Sequence, residues 1–91
     1  MANVTLSYDD KRGVWEHGGV VRFQAYDGDE AVVCGVARGV LERLAGGPVA
    51  VDDLETVFRA HAAPVRAAVE RKYAAGGIEA DGAVIVYGED L

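Results

Sequence analysis

The sequence predicts an α+β domain: a small, mostly antiparallel sheet with a central hairpin, packed by one short helix and one long helix. Two patterns support this prediction. Apolar side chains alternate with a period of two on both sides of Asp27-Gly28, as in a hairpin with one buried face. Further along, apolar residues recur with the 3.6-residue period of a helix packed on one side. A chain of 91 residues is expected to form a single domain over residues 1–91.

The central hairpin is predicted to run from Val20 to Ala37. A two-residue loop at Asp27-Gly28, as a type I′ turn with positive φ at both positions, would place Val21 opposite Cys34. A four-residue loop over residues 27–30 keeps the same parity, whereas a loop of three residues reverses the faces. Even loops gather one apolar face, which we expect to be buried: Val21, Phe23, Val32, Cys34 and Val36.

Shorter strands are predicted on either side of this hairpin. Residues 3–8 alternate between apolar and polar side chains, which is typical of a short strand. Val14-Trp15-Glu16 is a further extended piece that ends at Gly18-Gly19. Ala83 to Tyr87 forms a closing strand, apolar on both faces, after a turn at Asp81-Gly82.

Two helices are predicted between the hairpin and the closing strand. Val40, Leu41 and Leu44 have helical spacing, and Gly46-Gly47-Pro48 stops that short helix. A long helix is expected over residues 52–75, opened by a capping box of Asp52 and Glu55.

Pro64 lies inside the apolar stripe of the long helix. A second helix could begin at this proline, which is a favoured first helical residue. Ala62 and Ala63 are poor N-caps, however, and the stripe keeps its phase across the proline. We therefore predict one long helix that is kinked near Pro64.

From Val20 onward the chain resembles a family of short bacterial proteins known as domain-of-unknown-function family 1488. The likeness is a pattern of core positions and of element order. The residues that carry it are 21–25, 34–36, 40–45, Phe58, 65–73 and a closing strand near residues 82–87. The resemblance implies a compact α+β domain. It implies no known activity and no catalytic residues.

Composition narrows the classes of partner. The chain has nine Lys and Arg against fifteen Asp and Glu, a formal net charge of −6. Nucleic-acid binders gain affinity by neutralising phosphates with basic side chains, so neither nucleic acid nor an anionic membrane surface is expected as a partner. A single cysteine fits a reducing compartment. The N-terminal residues lack the features of a signal peptide, and we expect a cytoplasmic protein.

Few residues are candidates for chemistry. Cys34 is expected to be a buried small hydrophobe rather than a nucleophile. His17 and His61 lack the paired spacing of zinc ligands, and His61 is expected to be a half-buried helix residue with a hydrogen-bond partner. A Cys-His dyad is formally possible because pairing is spatial. Trp15 is expected to be a core anchor. No metal, cofactor or catalytic residue is predicted.

The remaining polar groups have structural explanations. The acidic clusters are expected in turns, at helix starts and in a solvated tail, and Glu55 with Arg59 has the spacing of an ion pair on a helix face. The sequence thus favours a non-enzymatic domain that acts through protein contacts. The alternative is a small-ligand or enzyme site built from residues distant in sequence.

A homodimer is also predicted. The second face of the central hairpin carries Val20, Tyr26, Ala31 and Val33 among polar residues, and two-fold pairing of one patch with itself is the commonest way to cover such a surface. The alternative is a monomer in which the N-terminal segment, with Leu6, Tyr8 and Trp15, folds over that face.

Overall fold

A computed structural model describes residues 6–9 and 13–91. Five strands are described: β1 (Ser7–Tyr8), β2 (Trp15–His17), β3 (Val20–Asp27), β4 (Glu30–Ala37) and β5 (Val84–Val86). Three α-helices lie between β4 and β5: α1 (Arg38–Ala45), α2 (Leu54–Ala60) and α3 (Ala62–Ala74). Two 3₁₀ turns, Val51–Asp53 and Gly88–Asp90, complete the described elements. The predicted strand over residues 3–8 is seen at Ser7–Tyr8, and residues 3–5 lie outside the described part of the chain.

The described strands form one sheet in the order β1-β3-β4-β5, and β2 pairs with β3 beside β1. Three of the pairings are antiparallel, while β4 and β5 run parallel. A parallel neighbour requires a crossover connection, and here the three helices supply it. The predicted small α+β fold with a mostly antiparallel sheet is confirmed.

The register of the central hairpin confirms the predicted parity. Asp27 pairs with Glu30, which leaves Gly28-Asp29 as the loop. Val21 therefore lies opposite Val36, and the predicted pairing of Val21 with Cys34 is wrong. Of the two loop residues, only Gly28 has a positive φ, of 62°, so the predicted type I′ turn at Asp27-Gly28 is wrong. A glycine at the first central position is the requirement of a type II′ turn, which twists with the strands equally well.

A second hairpin joins β2 to β3. His17 pairs with Val20, and the two residues between them, Gly18 and Gly19, have φ values of 61° and 77°. Positive φ at both central positions is the type I′ requirement. From the sequence, Gly18-Gly19 was predicted only to end an extended piece. In the structure these two residues form the turn that sets the register of β2 against β3.

The hydrophobic core lies between the sheet and the helices. The predicted apolar face of the hairpin is buried, from Val36 and Cys34 at 0% exposure to Val32 at 5%. Helical residues close over it and include Leu41, Phe58, Val65 and Val69. The three helices thus cover a single face of the sheet.

Helix α1 ends as the sequence predicts. Gly46 takes the left-handed conformation with φ 85°, and its N–H donates to the carbonyl of Arg43 while Gly47 N–H donates to that of Glu42. These two bonds form a Schellman motif, which satisfies carbonyls that the helix end would otherwise leave unbonded.

The predicted long helix over residues 52–75 is wrong in one respect: it is two helices. Helix α2 ends at Ala60 and α3 begins at Ala62, with His61 between them at φ −116° and ψ 22°. The ring of a proline excludes the carbonyl four residues earlier, which here is that of Ala60. Pro64 is the third residue of α3, where a helix needs no backbone N–H donor.

The predicted capping box of Asp52 and Glu55 is also wrong. Val51–Asp53 forms a 3₁₀ turn, so α2 begins at Leu54 and Asp53 occupies the N-cap position. The side chain of Asp53 makes no capping hydrogen bond. The 3₁₀ turn leads into the helix without a side-chain cap.

The other face of the sheet carries none of the three helices. Val20 and Ile85 meet there over Gly35, where an added Cβ would lie 2.7 Å from one side chain and 2.9 Å from the other. Trp15 pairs with Arg22 on this face and is 39% exposed. The expectation that Trp15 is a core anchor is wrong, because β2 pairs with the edge of β3 and turns this side chain away from the helices.

Candidate binding cleft

Cys34 is buried, as predicted. Its side chain has 0% exposure, and burial raises the pKa of the thiol from 9.0 to about 12. Nucleophilic cysteines need the thiolate and hence a lowered pKa. This side chain is a packed element of the core.

The two histidines occupy different parts of the fold. His17 is exposed on β2, and His61 is half-buried at the junction of α2 and α3 rather than within a helix. The backbone N–H of His61 donates to the carbonyls of Val57 and Phe58. In the described part of the chain, no group of three or more His, Cys, Asp or Glu side chains could hold a metal ion.

A polar cluster that the sequence did not reveal connects β1 to α3. The Tyr8 hydroxyl donates to Glu70 Oε2 over 2.7 Å, and the Arg66 guanidinium lies 4.3 Å from the centre of the Tyr8 ring. Burial and then the bond to Glu70 raise the pKa of Tyr8. The space beside this cluster is about 10 Å³, which holds a water molecule and nothing larger. The cluster therefore holds β1 in place and offers no room for a substrate.

The acidic clusters have separate partners. Asp27 accepts a 2.8 Å hydrogen bond from the Tyr73 hydroxyl, which raises the pKa of Tyr73. Glu55 and Arg59 form the predicted ion pair, with 3.1 Å between Oε2 and Nε. These contacts fasten the hairpin tip to α3 and support the surface of α2.

The C-terminal segment is held rather than solvated, which corrects the expectation of a free acidic tail. Asp90 Oδ2 accepts from the backbone N–H of Tyr87 at 2.8 Å and lies 2.9 Å from Lys72 Nζ. The bond from Tyr87, followed by Lys72, lowers the pKa of Asp90. Lys72 also donates to the Ile85 carbonyl over 2.6 Å, so one side chain joins α3 to both β5 and the last turn.

A larger concavity lies between β2 and the Val51–Asp53 turn. It measures about 250 Å³ and is lined by Val14, Trp15, Glu16, Val21, Val51, Asp52, Leu54 and Glu55. Glu16 is paired with Val21, so its side chain lies on the helix-covered side of the sheet. We call this concavity the β2 cleft.

The β2 cleft combines an apolar floor with a charged wall. Val21 and Leu54 are 1% and 3% exposed and belong to the core, whereas Val51 at the rim is 59% exposed. Carboxylates come from Glu16 on one side and from Asp52 and Glu55 on the other. Of the described residues that line it, none is Lys or Arg. Such a surface can hold an apolar group and attract a cation.

The chain folds as a small α+β domain in which helices cover one face of a five-stranded sheet. It belongs to the family described as "Protein of unknown function (DUF1488)", whose model matches residues 6–86. The resemblance seen in the sequence is thereby confirmed, and the family description indicates no specific activity.

A solved structure has the same fold. The crystal structure of a DUF1488-family protein of unknown function from Shewanella loihica PV-4 matches with a TM-score of 0.81 at 15% sequence identity. The match covers 94% of this chain and 96% of that one. At this identity the likeness concerns the fold alone. No curated protein matches the chain.

Proposed function

We propose that this domain is a non-enzymatic, cytoplasmic protein-contact module that receives its partner in the β2 cleft. The observation that carries the proposal is Val51, 59% exposed at the rim of a concavity whose floor residues, Val21 and Leu54, are 1% and 3% exposed. Apolar surface at the mouth of a concavity leaves water only when another molecule covers it, and that transfer favours binding.

Composition supports both the location and the class of partner. One cysteine without a disulfide partner is typical of a reducing compartment. No helix in the described part of the chain is long and apolar enough to span a bilayer. The net charge of −6 disfavours nucleic acid and anionic lipid surfaces, which favours a protein partner over either of them.

The alternative of a small-ligand or enzyme site receives less support. The described polar cluster around Tyr8 adjoins a space of about 10 Å³. The β2 cleft, at about 250 Å³, is smaller than the roughly 300–1,000 Å³ typical of small-molecule sites. Its lining combines carboxylates with aliphatic side chains and includes no His, Cys, Ser or Lys among the described residues.

The test is affinity capture from the source cells with a matched pair of variants. Val51→Lys places a cation in the cleft, while Ile78→Lys makes the same kind of change at a 47% exposed residue that does not line it. A stoichiometric protein partner should be captured by the parent and by Ile78→Lys and lost with Val51→Lys. Equal capture by all three proteins would refute the cleft as the partner site.

The helix-free face supports a second proposal, the homodimer predicted from the sequence. Leu6 belongs to the core and Tyr8 packs against it, so neither covers this face. Trp15, which pairs with Arg22 on this face, is 39% exposed, and Val20, Tyr26 and Val33 on the same face are partly exposed. Aromatic residues are enriched in the centres of interfaces, and a two-fold contact buries one patch on each copy.

Light scattering coupled to size exclusion tests the dimer. A dimer mass is expected at high micromolar concentration, with dissociation on dilution. Ala31→Glu, at an exposed position of the helix-free face, should shift that equilibrium toward monomer, whereas Ile78→Glu should not. A monomer mass for the parent at every concentration would eliminate self-association.

A further inference from the structure

We infer that the β2 cleft binds a peptide segment of a partner protein in which one large apolar side chain is flanked by Lys or Arg. This inference rests on the proposed function and specifies the chemistry of the partner. It follows from the charge of the walls, the size of the concavity and the nature of its floor.

Carboxylates stand on both walls. On the β2 side, one oxygen of Glu16 accepts a 3.0 Å hydrogen bond from the Gly19 N–H. On the opposite side Asp52 is exposed. Glu55 pairs with Arg59 through Oε2, but both side chains are about half exposed, at 52% and 42%. An exposed pair of this kind is weak, so Glu55 still contributes negative potential. A cation entering the cleft therefore meets acceptors from two directions.

The same charges oppose other occupants. A second copy docked cleft to cleft would bring its three carboxylates against these three, and like charges placed opposite one another disfavour a complex. Phosphate groups of nucleic acid or lipid meet the same repulsion. The homodimer would use the helix-free face on the opposite side of the sheet, and Trp15 borders both surfaces.

The size of the cleft fits one side chain better than a whole ligand. Its volume is about 250 Å³, below the roughly 300–1,000 Å³ of small-molecule sites. The floor residues Val21 and Leu54 are aliphatic and deeply buried, so the group that reaches them must be apolar. Lys or Arg on neighbouring positions of the same segment can then reach the carboxylates above, with their aliphatic stems along Val51.

Isothermal titration with synthetic peptides tests the inference. The probes are tryptophan-free dodecamers with a central leucine or phenylalanine flanked by lysine or arginine. Matched peptides replace the flanking cations with glutamine or glutamate, or the central residue with serine. Emission from Trp15, the only tryptophan in the chain, gives a second signal because this residue borders the cleft.

The cationic apolar peptides are expected to bind one to one with micromolar Kd and to shift the Trp15 emission. Val51→Lys should abolish this binding, and Ile78→Lys should leave it unchanged. Removing one carboxylate from each wall, with Glu16→Gln and Asp52→Asn, should weaken it about tenfold. The matched double variant Glu79→Gln with Glu89→Gln removes two exposed carboxylates outside the cleft and should have little effect.

Several results would overturn the inference. Equal affinity for glutamine-flanked peptides would show that binding does not require the flanking cations. Equal affinity for serine-centred peptides would show that it does not require the apolar side chain. Binding that survives Val51→Lys would place the peptide elsewhere, and octylamine binding as tightly as the peptides would assign the cleft to small amines. No binding by any peptide would also count against it. The cleft-dependent capture of a native partner tests the proposed function separately, so the two can fail independently.

Discussion

Two apolar regions meet at Val21 and Leu54, and they differ in what covers them. Beneath α2 and α3, the Phe23 and Phe58 rings lie 4.7 Å apart and both residues are almost fully buried. On the other side of the same floor, the β2 cleft leaves Val51 in water. The closed region stabilises the fold, whereas the open one is free to stabilise a complex. Substitutions in the first should therefore change stability, and substitutions in the second should change binding.

The largest effect on stability is expected from Phe58→Ala, which leaves a cavity in the core beneath α2 and α3. Phe58 is 2% exposed and contacts Phe23, so the variant should lose about 3–5 kcal/mol of unfolding free energy. That is a large share of the roughly 5–15 kcal/mol typical of a native domain. Urea denaturation followed by circular dichroism measures the loss. A change below about 1 kcal/mol would mean that the core is not closed as described.

A smaller effect on stability is expected from ionisation of the buried Cys34 thiol at high pH. The folded pKa of Cys34 is about 12, against 9.0 for an ordinary thiol. The unfolded chain therefore releases this proton at lower pH than the folded one, and the stability contributed is complete below pH 9 and lost as the pH rises toward 12. Urea denaturation at pH 8 and pH 10 should show a loss for the parent that exceeds the loss for Cys34→Ala by about 1 kcal/mol.

Cysteine alkylation provides the control for this burial. At pH 9 the native protein should react far more slowly with iodoacetamide than the protein in urea. Equal rates would show that the thiol is accessible, and the pH argument would then lose its basis.

The sequence predicted the closed region well because its signals are local. Apolar and polar side chains alternate on either side of the Gly28 turn, and this alternation decides which side chains of β3 and β4 share a face. A loop with an odd number of residues would reverse the faces. The same holds for α1, whose end is determined by Gly46. The exact pairing differs from the prediction, because two-residue loops at Asp27-Gly28 and at Gly28-Asp29 keep the same faces and differ only in which residues must take a positive φ.

The helical segment shows the limit of such signals. The apolar stripe keeps its phase across His61, because one residue outside helical geometry barely shifts the faces of α2 and α3. A continuous stripe therefore predicts a common packing surface and not a continuous helix. The break precedes Pro64 because the proline ring acts on the carbonyl four residues earlier.

The candidate site could not be predicted, because its parts are far apart in the chain. Glu16 and Asp52 approach one another only after β2 has paired with β3 and the 3₁₀ turn has packed beside it. The contact of Tyr8 with Glu70 likewise spans 62 positions. The sequence indicated Asp52, Asp53 and Glu55 as a helix start, and only the fold shows that two of these carboxylates face an apolar floor.

Pro64→Ala, close to the boundary between α2 and α3, should have a small effect on stability. Because Pro64 lies in the first turn of α3, alanine restores no required hydrogen bond. It also gives the unfolded chain more freedom, so stability should stay constant or fall by up to about 1 kcal/mol. Thermal unfolding measures the change. A clear gain in stability would indicate that the proline interrupts a helix that would otherwise continue through His61.

The smallest effect on stability is expected from Val51→Ser. Val51 is 59% exposed and begins a 3₁₀ turn, and exposed substitutions away from special features usually change stability by less than about 0.5 kcal/mol. The same change removes the apolar rim of the β2 cleft, so affinity for the cationic apolar peptides should fall severalfold while the melting temperature stays within a few degrees of the parent.

Val57→Ser supplies the matched control, because Val57 packs against the core from α2 and does not line the cleft. It should lower stability and leave peptide affinity unchanged in the folded protein. If Val51→Ser instead destabilised the fold as much as Val57→Ser and left binding intact, the rim would belong to the closed region, and the distinction between the two surfaces would disappear.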